Sequence, residues 1–78
     1  MPIVSIENLP YWFRADDVRD LVLPHGTILS VAVSPGTSQL SPVTSVVILE
    51  TREQAERTVE ALNGAECLGY MLHAEMRS

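Results

Sequence analysis

The chain has no lysine, a single cysteine, only four aromatic residues (two Tyr, one Trp, one Phe) and no long apolar run, and each shortage removes a class of protein. A lone Cys67 can neither close an internal disulfide nor join a CxxC-type metal cage. Apolar stretches such as Tyr11-Trp12-Phe13 and Leu21-Val22-Leu23 fall far short of the roughly 20 residues of a spanning helix or the roughly 7–15 of a secretory signal. No membrane segment or cleavable signal is therefore expected. The chain reads as intracellular, nuclear if eukaryotic and otherwise cytoplasmic. Five arginines are the only basic residues besides two histidines; against ten acids they leave a net charge of −5 and a pI near 4.7. A broad basic face of the kind that binds nucleic acid by electrostatics alone is thus excluded.

Enough apolar material remains for one core. Of 78 residues 46% are hydrophobic and 19% charged, which excludes a disordered chain and allows a single domain over 1–78. Residues 3–7 alternate, with Val4 and Ile6 on one side and Ser5 and Glu7 on the other, the period of a half-buried strand. Asn8-Leu9-Pro10 ends it. Val18, Leu21 and Val22 then give a helical stripe, with Asp16 and Asp17 near its positive end and Pro24 and Gly26 as its stop. Residues 27–34 are rich in β-branched side chains and end at the Pro35-Gly36 turn signal. A polar loop through Ser41-Pro42 follows, and residues 43–50 form the strongest strand.

Thr51-Arg52-Glu53-Gln54 matches a capping box, Thr51 accepting from the backbone and Gln54 reaching back, ahead of the stripe Ala55, Thr58, Val59, Leu62. Asn63-Gly64 suits a left-handed helix end. After a loop holding Cys67 and Gly69, residues 70–76 read as a last strand. The order strand, helix, strand, strand, helix, strand predicts an α+β, ferredoxin-like βαββαβ sandwich. Both helices cover one face of a four-stranded antiparallel sheet and the other face is open.

No catalytic set can be assembled. His25, His73 and Cys67 lack zinc spacing, and two distant histidines supply no nucleophile, base and orienter. No catalytic residue, metal, cofactor or small-molecule substrate is expected. Arg19, Arg52 and Arg57 read as a solvated helix face, with pairing spacing from Asp16 to Arg19 and from Glu53 to Arg57.

Three segments carry a resemblance to a known family: residues 4–10, closing in Asn-Leu-Pro; residues 43–50; and residues 55–64, closing in Leu-Asn-Gly. Together they resemble the RNA recognition motif over essentially the whole chain. The resemblance implies binding of single-stranded RNA on the open sheet, through bases stacked on one first-strand and two third-strand aromatics. Here those positions are Ser5, Thr44 and Val46. Three missing stacks forgo roughly 3–9 kcal/mol, some two to six decades of affinity.

Rings are instead concentrated in Tyr11-Trp12-Phe13, followed by Arg14, between the first strand and first helix. This is similar to the quasi-RNA recognition motifs of the G-tract-binding ribonucleoproteins, which lack sheet aromatics and bind through loops. Phe13 is the expected core staple, leaving at least one of Tyr11 and Trp12 exposed. The expected RNA-binding set is Ser5, Tyr11, Trp12, Arg14, Thr44, Val46, His73 and Arg77. In the alternative, Ala32, Val46 and Ile48 form an apolar patch flanked by acids that suits a protein partner.

Overall fold

The computed structural model describes residues 2–34 and 42–77, so the turn read at Pro35-Gly36 lies outside the described residues. Seven residues, Ile3–Leu9, form β1, and Val43–Leu49 form β3 beside it. Ile28–Ser34 (β2) and His73–Arg77 (β6) take the edges, giving the antiparallel order β2-β3-β1-β6. The two helices are Ala15–Val22 (α1) and Arg52–Leu62 (α2). Val18 and Val22 of α1, and Ala55 and Leu62 of α2, share one buried cluster with Val4, Ile6, Val47 and Leu49. The intervening residues of β3, Thr44, Val46 and Ile48, stay half-buried on the other side. Both helices therefore cover one face, as the period-2 pattern requires. Burial of each Val or Leu side chain in that layer contributes roughly 1.5–3 kcal/mol.

The helix ends show what fixes them. Asp17 accepts the Arg14 N–H at 2.9 Å, satisfying one of the free donors at the start of α1. Pro24 lies in a 3-10 turn, Leu23–His25, that closes α1 where proline cannot continue it. At α2, Thr51 Oγ1 accepts the Gln54 N–H at 3.2 Å, as the capping pattern predicts. The reciprocal half differs. Gln54 Oε1 accepts instead from Thr27 N–H at 3.0 Å, tying the helix to the entry of β2. Gly26 makes this possible, because a Cβ there would stand 2.7 Å from Gln54 Cβ. Asn63 ends α2, and its Oδ1 accepts from Ala74 N–H at 3.2 Å, linking the Leu-Asn-Gly segment to the edge strand.

The last strand read from the sequence is two. Tyr70–Met71 (β5) pairs back on Glu66–Cys67 (β4) as a small hairpin, and buried Leu72 leads into β6, which alone joins the main sheet. Cys67 thus sits in a strand rather than a loop, half-buried against the core, and burial raises its thiol pKa. The hairpin turn is Leu68-Gly69, both with positive φ (52° and 91°), the backbone of a type I′ turn.

Candidate nucleic-acid interface

The open face is ordered in rows by the strand register. Ser30, Ile48, Ile3 and Arg77 form one; Ala32, Val46, Ser5 and Glu75 the next; beyond them lie Ser34 beside Thr44 and Glu7 beside His73. Thr44, Val46 and His73 are therefore on the face expected of them, and Arg77, one residue past the strand read at 70–76, joins that face at the end of β6. Ser5 is on that face as well but is only 1% exposed. It is a small side chain on a central strand, with Val46 and Glu75 across from it and Ile3 and Glu7 along the strand on either side. Its hydroxyl cannot serve as a surface contact, which corrects its place in the expected binding set. Ile3, two residues before Ser5 and so on the same face, pairs with Ile48 and extends the apolar patch of Ala32, Val46 and Ile48.

Beyond the end of the sheet that holds Thr44, Glu7 and His73, β1 leads into the aromatic turn. Phe13 N–H donates to Pro10 O at 3.0 Å, a tight turn with Tyr11 and Trp12 at its two corners. Pro10 is buried and Phe13 packs against the core, so the corners face outward. Tyr11 is 40% and Trp12 47% exposed, and their rings meet edge to face at 5.0 Å. Arg14 is exposed at the entry of α1.

The arrangement has a member that sequence reading missed. Tyr70, on β5, sets its ring against Trp12 edge to face, centroids 5.8 Å apart. The hairpin is held there by Asn8, whose left-handed backbone (φ 65°) interrupts the β1 ladder and whose Nδ2 donates to Met71 O at 2.8 Å. Such edge-to-face contacts add about 0.5–1.5 kcal/mol beyond burial. Tyr11, Trp12 and Tyr70 thus make one aromatic cluster from the turn and the hairpin, whose Leu68 and Met71 are exposed. The available signal was the two-residue Leu68-Gly69 turn, weak because leucine rarely accepts positive φ.

Not all expected residues come together. His73 lies at the aromatic end, whereas Arg77 pairs with Ile3 at the opposite end of β1. Four strand steps along β6 separate them by about 13 Å. Among the described residues no three His, Cys, Asp or Glu side chains gather as a metal site would need. No helix among them is long and apolar enough to cross a membrane.

A family model described as RNA recognition motif matches residues 4–73. The chain belongs to the RNA recognition motif family. This family consists in general of binding domains rather than enzymes, and the motif's four-stranded sheet with helices on one face is the fold described above. The solved structure titled Pes4 RRM3 superposes with a TM-score of 0.89 at 20% identity, covering 100% of this chain and 93% of that one. RNA Binding Protein PG1 gives 0.86 at 24%, covering 99% and 94%. The Rna15 RRM with bound RNA (GU) gives 0.81 at 17%, covering 94% and 79%. At these identities the likeness is one of fold. No curated protein matches the chain.

Proposed function

We propose that residues 1–78 act as one RNA-binding module, without catalysis, that holds single-stranded RNA by its aromatic turn rather than by stacking on its sheet. The carrying observation is the cluster of Tyr11, Trp12 and Tyr70. It offers exposed ring faces beside the sheet of an RNA recognition motif whose usual stacking positions hold Ser5, Thr44 and Val46. One or two unpaired bases stack on Trp12 and Tyr11, Arg14 meets a phosphate, and Thr44 and His73 supply hydrogen bonds at the adjoining end of the sheet. Val46 gives an apolar floor, and Arg77 is reached only by a strand that continues along β6. Family membership and the RNA-bound Rna15 domain of the same fold support this reading. The module needs no cofactor or membrane and acts inside the cell, in RNA processing such as splicing, and in the nucleus if the source is eukaryotic.

The test uses pooled short single-stranded RNAs, with amide chemical shifts as the readout. Shifts concentrated at residues 10–14 and 70–73 are expected. Trp12→Ala should weaken binding roughly 5- to 150-fold, the worth of one base stack, and Tyr70→Ala should weaken it less, because that ring braces Trp12. Silence from every pool would remove the proposal.

A second reading rests on the apolar rows of the sheet. With Ile3 added, Ala32, Val46 and Ile48 form a continuous patch bordered by Glu75 and Glu7. Carboxylates there repel phosphate and suit another protein. If the sheet is a protein contact, Val46→Arg abolishes association and leaves thermal stability nearly unchanged, since Val46 is only half-buried.

A further inference from the structure

On the helix side, away from the sheet, α1, the 3-10 turn and α2 border an open pocket of about 480 Å³. Arg19 lines it from α1 and Arg57 from α2, with the His25 ring residue between the helices. Two of the five arginines of a chain with net charge −5 therefore meet at one concavity. No acidic residue is in its lining. Arg19 is 3.7 Å from Asp16, but both side chains are at least half exposed, and an exposed pair of this kind is worth little. Arg57 makes no ion pair within 4 Å among the described residues; the pair formed on α2 is Arg52 with Glu56 at 3.2 Å. The Glu53 to Arg57 spacing is not used, which leaves the Arg57 guanidinium available.

The rest of the lining is part aliphatic and part polar, the polar part being Thr27 and Gln54. Leu23, Pro24 and Ile28 contribute apolar surface, and Leu23 is 59% exposed. No Phe, Tyr or Trp lines it, and the His25 imidazole is its one ring, against the three-ring cluster at the aromatic turn. The hydrogen bond from Thr27 N–H to Gln54 Oε1, at 3.0 Å, fixes α2 against the entry of β2 at this site.

We propose that this pocket binds an acidic, leucine-bearing peptide segment of a protein partner. Carboxylates of the segment pair with Arg19 and Arg57, whose planar guanidinium groups match them two bonds at a time, and an aliphatic side chain packs on Leu23, Pro24 and Ile28. The aromatic turn and the open sheet lie elsewhere on the molecule. The module can thus hold RNA and a protein together.

The probe is an acetylated, amidated hexapeptide alternating Glu or Asp with Leu, titrated into the isotope-labelled chain. The control is its Gln and Asn counterpart. Saturable shifts at residues 19, 23–28 and 54–57 are expected with the acidic peptide. Arg57→Glu should weaken it at least tenfold with the melting temperature retained, and the double change Arg19→Gln with Arg57→Gln should do the same without adding negative charge. The RNA-induced shifts at residues 10–14 should persist in both variants. Equal binding of the uncharged peptide would overturn the proposal. So would stronger shifts of the same amides by inorganic phosphate or by the RNA pools, which would make the pocket a phosphate site.

Discussion

At the residue scale the interface depends on three backbone exceptions. Asn8 adopts a left-handed conformation, breaks the ladder between β1 and β3, and frees its side chain to hold Met71. Gly69 takes φ 91° at no cost, but Leu68 takes φ 52° with a side chain that resists it. A left-handed leucine costs roughly 1–2 kcal/mol relative to residues suited to that region. Leu68 is 70% exposed, so no core contact offsets the strain. Leu68→Asn should therefore stabilise the fold by about 1 kcal/mol, raising the melting temperature by roughly 4–8 °C in a domain this small. A thermal melt reads this directly, and a fall in the midpoint would show that Leu68 packs against something its exposure conceals. That at least one of Tyr11 and Trp12 is a surface ring was legible because three adjacent side chains cannot easily share one small core; that both are is a finding of the structure. Tyr70 was not, since its contact with Trp12 depends on a hairpin set by that strained leucine. The burial of Ser5 was not legible either. Alternation gives the face a side chain takes, but not whether larger neighbours close over it.

At the scale of elements, the helices were readable because stripe and cap agree: Val18 and Val22, and Ala55, Thr58 and Leu62, are the buried residues of α1 and α2. The faces of the strands followed from alternation, and their register from the family resemblance. What escaped was the break at Leu72, where an alternating run of seven residues is shared between a hairpin and the edge strand. Alternation cannot tell which partner each part pairs with. The capping box also divided, because Gln54 meets a nearby donor, Thr27 N–H just before β2, that no local pattern contains. This has a measurable consequence. Thr51→Ala should cost about 1 kcal/mol, as the loss of a helix cap does. Gln54→Ala should cost roughly 0.5–1.5 kcal/mol through the loss of one hydrogen bond. In hydrogen exchange, the Gln54 change should speed the Thr27 amide and leave the Thr51 amide as it was. The opposite pattern would restore the capping box and detach α2 from the entry of β2.

At the scale of the molecule, charge decides how RNA can be held. With five arginines, two of them at the helix-side pocket and one engaged with Glu56, only Arg14 and Arg77 stand near the interface, at opposite ends of it. Each phosphate neutralised on a single strand contributes about −0.7 to the slope of log affinity against log salt. A short RNA confined to the aromatic turn should thus show a slope near −0.7, and one long enough to follow β6 to Arg77 a slope near −1.4. For the longer RNA, affinity should fall only about sevenfold between 50 and 200 mM salt, against the roughly thousandfold or greater loss of a protein making 6–10 phosphate contacts. Arg77→Ala should return the longer RNA to the shallower slope while leaving the shorter one unaffected, and Trp12→Ala should lower both affinities without changing either slope. Fluorescence polarisation at four salt concentrations separates these outcomes. A slope steeper than about −3 would mean that cations outside this interface hold the RNA, and stacking at the aromatic turn would lose its place as the main source of affinity.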